Sequence, residues 1–451
     1  MSPETVEVQL DDAHWLLFNP LGGGGVTILN GVARAIVASI RFRTNLTAVL
    51  AGFPNREEEV ISVFEHLADR GLIETSRVGY PKRPVQPFAQ PTGKVLTAWL
   101  HVTNNCNLRC PYCYLTKTSE NMSESIGREA VRAVVASAAA NGFQAIKLKY
   151  AGGEASLNRH LIASLHELAK ELTADLGLGL WATLLTNGVA LPPAFVETLK
   201  AERIRIMISL DGIGEIHNLV RPTVAGRPSF RQVEQTIEQL IEQGHPPHLS
   251  ITITGRNAAG LADVVRFALE RGLTFSFNLF RENDAAAEVA DLSYDNDTMI
   301  SSLRAAFAVI GENLPPWSVL GSVLDRGQLL MPRRQCCGVG QDYVVIDQRG
   351  QVAQCHMEIG QVLGDVRHHD PLRLIRSATA PIKSLPVEEK EGCRECSWRY
   401  WCSGGCPIAT FRSTGRWDVK SPNCSIYKAI YPMALRLEGL RLLKYQSPAA
   451  G

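Results

Sequence analysis

The sequence LTAWLHVTNNCNLRCPYCY, residues 96–114, joins an apolar run directly to a group of three cysteines. The run predicts a strand, and Cys106, Cys110 and Cys113 follow it at the spacing Cys-x3-Cys-x2-Cys. Three thiolates on one tight loop can bind three irons of a four-iron cluster and leave the fourth iron open to a non-protein ligand. The alternatives are a zinc site that His101 completes and three incidental thiols.

Five further apolar runs follow this strand, and each is separated from the next by a segment long enough for a helix. They are AIKLKYAGG (145–153), LWATLLTNG (180–188), RIMISLDG (205–212), HLSITITG (248–255) and TFSFNLF (274–280). Repeated βα units of this kind predict a parallel sheet with functional groups at the carboxyl ends of its strands. Six strands predict an α/β fold, a partial (β/α)6 TIM-like barrel over residues 95–290.

The segments on either side of the barrel do not show the repeated strand-and-helix pattern. Residues 1–78 carry three short strand-like pieces and then helical spacing, and the proline-rich residues 79–94 predict a linker. A bridging region, 291–335, precedes a cysteine-rich domain at 336–430, for which we predict little conventional core. An amphipathic pattern at 425–443 predicts a helix that leads into a C-terminal helix and tail, 431–451.

Cysteine usage is uneven along the 451 residues. None of the eleven cysteines precedes Cys106, and eight lie between Cys336 and Cys424, including the series Cys393-x2-Cys396-x5-Cys402-x3-Cys406. In a reducing cytosol such groups favour metal ligation over disulfides, with zinc as the alternative to iron-sulfur clusters. The sequence therefore predicts a metal-organised C-terminal domain.

Composition excludes some classes of function. Forty-six basic and 45 acidic side chains leave a net charge of +1, which does not favour a nucleic-acid partner recruited by bulk charge. No uncharged apolar stretch approaches the roughly 18 to 20 residues that cross a bilayer, and the acidic N-terminus does not resemble a secretory signal. We therefore expect a cytoplasmic protein with no membrane partner.

The motif CNLRCPYC, together with GGE after the second strand, ISLDG after the fourth and HNLVRP beyond it, resembles the radical S-adenosylmethionine (SAM) superfamily. The resemblance implies that Cys106, Cys110 and Cys113 hold one 4Fe-4S cluster whose open iron binds SAM. Electron transfer would then cleave SAM to a 5'-deoxyadenosyl radical. It implies SAM contacts from Tyr112, Gly152, Gly153, Glu154, Asn187, Ser209, Asp211 and Arg221.

Three of these implied contacts have a stated role. The two glycines would permit close backbone approach, and Glu154 would hold the methionyl amino group. Arg221 would offer a bidentate fork to the SAM carboxylate, with a surface ion pair as the alternative for this side chain.

The order of the C-terminal cysteines resembles the twitch-containing extension called SPASM, which carries two auxiliary 4Fe-4S clusters. The resemblance assigns Cys337, Cys355 and Cys406 to the first of these clusters. The second would take Cys393, Cys396, Cys402 and Cys424. Cys336 is the candidate fourth ligand of the first cluster, and an open iron is the alternative because Cys336 directly adjoins Cys337.

The phrases LLFNP, ILNGVARAIV and VFEHLADRGLIE in residues 6–76 resemble the leader-peptide recognition element, a winged-helix-like domain of enzymes that modify ribosomally made peptides. Such a domain would bind an extended leader by strand addition. A nucleic-acid-binding winged helix is the alternative, and the acidic residues Glu4, Glu7, Asp11 and Asp12 count against it.

Together these resemblances predict a peptide maturase. It would abstract hydrogen from a precursor peptide and form an oxidative crosslink, thioether or carbon-carbon, with electrons from an external donor such as flavodoxin or ferredoxin. Oxidation of a Ser or Cys side chain as in sulfatase maturases, small-molecule radical chemistry and a non-enzymatic electron carrier are the alternatives. No residue is identified as a general base.

Overall fold

The computed structural model describes residues 2–22, 25–40, 45–73, 95–321, 323–377 and 379–445. The predicted linker, residues 79–94, lies outside the described residues. Within these ranges no helix combines the length and the apolar character that membrane crossing requires.

The N-terminal unit is a three-stranded antiparallel sheet followed by three helices. Its sheet has the order β1-β2-β3. The elements are β1 (Val6–Gln9), β2 (Trp15–Phe18), β3 (Thr27–Leu29), α1 (Gly31–Ile40), α2 (Leu46–Gly52) and α3 (Glu57–Asp69). All four residues of β2 are buried, so this strand packs on both faces.

The barrel strands lie where the sequence predicts them. They are β4 (Val95–Thr103), β5 (Ala145–Gly152), β6 (Gly179–Thr186), β7 (Arg205–Ser209), β8 (His248–Ile253) and β9 (Phe275–Leu279). All five neighbouring pairs are parallel, in the sequential order β4 to β9. The predicted α/β fold with a partial parallel barrel is therefore confirmed.

Helices cover the outer face of this sheet. They are α4 (Glu124–Ala140), α5 (Arg159–Asp175), α6 (Pro193–Ala201), α7 (Glu215–Val220), α8 (Phe230–Glu242) and α9 (Leu261–Glu270). Strand β5 shows the resulting division: Ile146, Leu148 and Tyr150 join the apolar core with residues of α4 and α5, whereas Lys147 and Lys149 alternate with them on the other face. That inner face is the barrel interior.

The C-terminal third extends the barrel sheet. After α10 (Asn296–Glu312), strand β10 (Tyr343–Ile346) pairs in parallel with β4, and β11 (Gln351–Ala353) and β12 (Gly364–Asp365) follow as antiparallel strands. The sheet thus has nine strands, in the order β12-β11-β10-β4-β5-β6-β7-β8-β9. The remaining helices are α11 (Pro371–Ile375), α12 (Arg399–Cys402), α13 (Pro407–Thr414) and α14 (Cys424–Tyr445).

The prediction of a C-terminal domain with little apolar core is wrong. Val344, Ile346 and Val352 of its strands belong to the same large hydrophobic cluster as the barrel. They do so because β10 pairs with β4, an association that no local pattern reveals. The predicted boundary at residue 431 also falls inside α14, although the predicted helix at 425–443 is confirmed.

The N-terminal unit shares this core as well. Leu16 and Phe18 of β2 join the large cluster, whereas Trp15 and Leu17 join a separate core formed with α1, α2 and α3. At Gly439 of α14, a Cβ atom would lie 2.6 Å from a Leu10 methyl group, so the absence of a side chain permits the close approach.

Candidate active site at the carboxyl ends of the barrel strands

The three clustered cysteines lie on the loop that leaves β4. Cys106 is buried, and its Sγ accepts a hydrogen bond from the Leu108 N–H at 3.4 Å. The Cys113 N–H donates to the Cys110 carbonyl oxygen at 3.1 Å, which closes the loop into a tight turn. Burial raises the pKa of the Cys110 thiol to about 11. Metal binding at this loop would have to displace the thiol protons.

Gly152 and Gly153 make this loop fit against β5. A Cβ on Gly152 would lie 2.3 Å from the Thr103 carbonyl oxygen, and one on Gly153 would lie 2.3 Å from that of Asn105. The Gly153 N–H donates to Thr103 O at 2.8 Å, so the backbones are in direct contact. The two glycines thus allow β5 to contact the cysteine loop of the chain itself, and their contact to SAM stays a prediction.

Glu154 is buried and its carboxylate is held by protein donors. Oε1 accepts from the Thr186 hydroxyl at 2.7 Å and the Ser156 N–H at 3.1 Å, and Oε2 accepts from the Asn187 N–H at 2.6 Å. Asn187 in turn directs its Nδ2 toward the Cys106 Sγ at 4.0 Å. Glu154 therefore fixes the position of Asn187 beside the first cysteine, and its contact to SAM stays a prediction.

Tyr112, Asp211 and Arg221 form a buried network beside the loop. The Arg221 Nη1 donates to Asp211 Oδ2 at 2.9 Å, and the Tyr112 hydroxyl contacts both side chains. The alternative of a surface ion pair for Arg221 is wrong, because both partners of this pair are buried. The Arg221 Nε is buried without a partner, so the guanidinium keeps one donor that a bound ligand can accept from.

Asp211 also joins the ends of two strands. Its Oδ1 accepts from the Thr252 N–H at 2.7 Å, and Asn257 donates to both the Asp211 and Thr252 carbonyl oxygens. Asn257 was missed by sequence reasoning, because nothing in its spacing distinguishes it from a turn residue. Ser209, the last residue of β7, is half-buried at the same edge, as the prediction of a SAM contact requires.

The C-terminal cysteines fall into the two predicted groups. Cys337, Cys355 and Cys406 belong to one apolar cluster, together with Val339 and Ile408. Cys336 contacts Cys337, and this hydrogen bond lowers the pKa of Cys337 to about 6. In the other group, burial and, to a smaller degree, the nearby thiols of Cys393, Cys396 and Cys424 raise the pKa of Cys402 to about 12.

Aromatic rings connect the first cysteine loop to the C-terminal cysteines. Tyr114 follows Cys113 and His356 follows Cys355, and their rings lie 5.6 Å apart between centroids. His356 also stacks on Trp99 of β4 at 4.5 Å and hydrogen-bonds to the Tyr343 hydroxyl at 2.9 Å. One pair of contacting rings therefore links the residues that follow Cys113 and Cys355.

These residues suit SAM and iron-sulfur clusters in their chemistry. Three thiols on one loop, the unpartnered Arg221 Nε and the glycine contacts match what the resemblance requires. Across the described ranges, no three His, Cys, Asp or Glu side chains are arranged to hold a single metal ion. Iron binding at the three cysteine groups stays a prediction.

Comparison with known proteins agrees with the fold and with the first cysteine loop. Residues 100–268 match the Radical SAM superfamily. An AdoMet-dependent heme synthase from Methanosarcina barkeri is 26% identical, with 74% of this chain and 96% of that protein covered. A PqqA peptide cyclase from Bradyrhizobium diazoefficiens is 22% identical, with 77% of this chain and 91% of that protein covered.

One solved structure spans nearly the whole chain. Streptococcus suis SuiB bound to precursor peptide SuiA has a TM-score of 0.54 and 15% identity, and the match covers 95% of this chain and 99% of SuiB. At this identity the likeness concerns the fold.

Proposed function

The chain carries a radical SAM domain and is a radical SAM enzyme, and from this premise we propose that it matures a ribosomally made peptide. The observation that carries the proposal is the N-terminal sheet. Among the described residues, β1 and β3 pair only with β2, so each strand has an edge to which an extended leader peptide can add. SuiB, which resembles this chain over 95% of its length, binds a precursor peptide.

In this proposal Cys106, Cys110 and Cys113 hold the SAM cluster, and the C-terminal cysteines hold the two auxiliary clusters. When bound, SAM and these clusters supply a 5'-deoxyadenosyl radical and an electron acceptor. The chain would position them: Glu154 holds Asn187 against the cysteine loop, and Arg221 would offer its unpartnered Nε–H to a SAM carboxylate. The buried Asp211 fixes Arg221, so the donor is oriented before SAM arrives.

A crosslink would remove two hydrogens from the peptide. One leaves as a hydrogen atom and appears in 5'-deoxyadenosine. The other leaves as a proton when the new thioether or carbon-carbon bond forms, and the remaining electron passes to an auxiliary cluster or to a carrier such as flavodoxin or ferredoxin. The PqqA peptide cyclase among the relatives supports a peptide product, whereas the heme synthase shows that related chains also serve other substrates.

The test uses the full chain, reconstituted anaerobically with iron and sulfide and supplied with SAM and a reductant. Its substrate is the peptide encoded by a small open reading frame adjacent to the gene. We expect 5'-deoxyadenosine and a peptide that is lighter by two hydrogens in mass spectrometry. Formation of 5'-deoxyadenosine with no change in any such peptide contradicts the maturase proposal.

Two controls separate the alternatives. A product that reacts with a hydrazine reagent contains an aldehyde, which points to Ser or Cys oxidation and not to a crosslink. A core peptide without its leader should be modified at least tenfold more slowly, and adding the leader as a separate peptide should restore part of the rate. Equal rates with and without the leader contradict the role proposed for the N-terminal sheet.

A further inference from the structure

The inner face of the barrel sheet carries a row of cations. The strand registers place Lys147 beside Thr97 and Lys149 beside Trp99, and both lysines lie on the face opposite the helices. Thr183 of β6 pairs with Lys149 on one side and with Arg205 of β7 on the other. Paired residues of parallel strands share a face, so the three cations line the same interior surface.

These cations have no acidic partner among the described residues. Lys149 is flanked by other cations, and burial together with the charges of Lys147 and Arg326 lowers its pKa to about 8. Burial and Arg205 likewise lower the pKa of Lys147. Glu74 is the single carboxylate side chain outside the described residues. The interior is therefore a cationic surface whose charge no described acidic residue neutralises.

Two further polar groups on this face have no partner. The Trp99 side chain is more than nine-tenths buried, yet its indole N–H has no acceptor, and the Nδ1 of the buried His101 is also unpartnered. A buried polar atom normally finds a hydrogen-bond partner in the chain, in water or in a ligand. Both residues alternate along β4 with its outward-facing apolar residues, so they face the same interior as Lys149.

We propose that the barrel interior binds a carboxylate of the substrate, with Lys149 as the central cation, Lys147 two residues before it on β5, and the exposed Arg205 two strands away on the same face. This proposal rests on the proposed function, because in an unmodified peptide the anionic groups are Asp and Glu side chains and the C-terminus. Carboxylates are strong acceptors for lysine and arginine donors in a partly buried site.

The site is distinct from that of the SAM carboxylate. Lys149 lies three residues before Gly152 on β5, about 10 Å along the strand from the edge where Arg221 and the cysteine loop lie. The charge of Arg326 also acts on Lys149, and Arg326 is in turn influenced by the charges of Asp325 and Cys337. A carboxylate at Lys149 would hold the substrate inside the barrel, on the same side of the sheet as His356 and Tyr114.

Binding of small probes to the anaerobic holoenzyme with SAM, measured by calorimetry at low salt, tests the proposal without turnover. The probes are acetyl-Gly-Glu-Gly-amide, its Gln analogue, and acetyl-triglycine with a free C-terminus. We expect the Glu probe or the free C-terminus to bind at least tenfold more tightly than the Gln analogue. Whichever binds more tightly identifies the source of the carboxylate, and equal binding of all three overturns the proposal.

Substitutions test whether Lys149 is responsible for the tighter binding of the carboxylate probe. Lys149→Met should abolish it and Lys149→Arg should retain most of it, whereas Lys170→Met should leave it unchanged because Lys170 is exposed and pairs with Glu202. If Lys149→Met does not fold, Lys147→Met provides the same comparison with an expected loss of at least threefold. A preference that persists in both methionine variants contradicts this site. Failure of the peptide to be modified, with the carboxylate preference intact, would refute the proposed function alone.

Discussion

Two regions of the barrel differ in whether their charged side chains have partners within the protein. At the carboxyl ends of the strands, Glu154 accepts three hydrogen bonds and Asp211 pairs with Arg221. In the barrel interior, Lys147 and Lys149 have no described acidic partner and repel one another. In the first region hydrogen bonds or a counter-charge stabilise the buried charges before any ligand binds, whereas in the second no described residue offsets the positive charge. A single chain thus contains one site that is fixed in advance and one that is completed by binding.

Of the three changes that test this comparison, removal of the thiols of the cysteine loop should have the largest effect, which is the loss of SAM cleavage. In the triple variant Cys106→Ala, Cys110→Ala and Cys113→Ala, we expect SAM cleavage to fall below detection because no cluster can form beside Arg221. Roughly two thirds of the iron should remain, since two of three predicted four-iron clusters are untouched. Iron analysis and chromatography of 5'-deoxyadenosine measure both quantities. Cleavage that survives the triple change would show that the strand-end site lies elsewhere.

Removal of the counter-charge of Arg221 should have the second largest effect, which is a loss in the free energy of unfolding. Asp211→Asn leaves the buried Arg221 guanidinium without its counter-charge, and breaking a buried pair in this way costs about 3–5 kcal/mol. Urea unfolding of the reconstituted protein measures the loss. Asp263→Asn is the matched control: its pair with Arg266 is exposed, so we expect a change below about 1 kcal/mol. Equal losses of stability in the two variants would contradict the claim that the buried Asp211–Arg221 pair contributes more than an exposed pair.

A substitution of Lys149 in the barrel interior should stabilise the fold and not destabilise it, and this change in stability should be the smallest of the three effects. The pKa of Lys149, about 8 in the folded state, lies below its ordinary value of 10.5, so the charged form destabilises the fold at pH below 8 by up to about 3 kcal/mol. Lys149→Met should therefore raise the thermal midpoint at pH 7. As pH rises from 8 toward 10.5 the penalty disappears, and the midpoints of the two proteins should converge. A variant that is less stable than the parent at pH 7 would assign Lys149 a structural role.

The sequence predicts the barrel well because its signals are local. Strands such as β5 alternate apolar and polar residues, and the intervening helices repeat apolar residues at helical spacing, so all six strands were located. The pairing of β10 with β4 was not predicted, since the partner strand lies more than 200 residues away. The separation of the two cysteine groups followed from the resemblance, and their grouping in space agrees with it.

Within the candidate site, residue types were easier to predict than partners. Glu154, Asp211 and Arg221 were identified, but the bond from Asn187 to Glu154 and the bond from Arg221 to Asp211 depend on how the strand ends converge. Lys147 and Lys149 carried a visible signal, two cations alternating with Ile146 and Leu148 in one strand. Their significance was missed because only the assembled sheet shows that Arg205 lies on the same face, beyond Thr183, and that no described carboxylate pairs with them.

The seating of strand β2 has a consequence for protein engineering. Phe18 lies 4.9 Å from the ring of Trp401 and stacks near Trp398, and the Trp401 indole donates to the Pro20 carbonyl oxygen at 2.7 Å. A truncation or a chimera joined at the linker would expose these two indole rings to solvent and leave a hydrophobic surface next to Cys402. Transplanting a foreign recognition unit onto this enzyme therefore requires redesign of its docking partners in α12 and α14 as well, and a cassette exchange at the linker alone should yield aggregated protein.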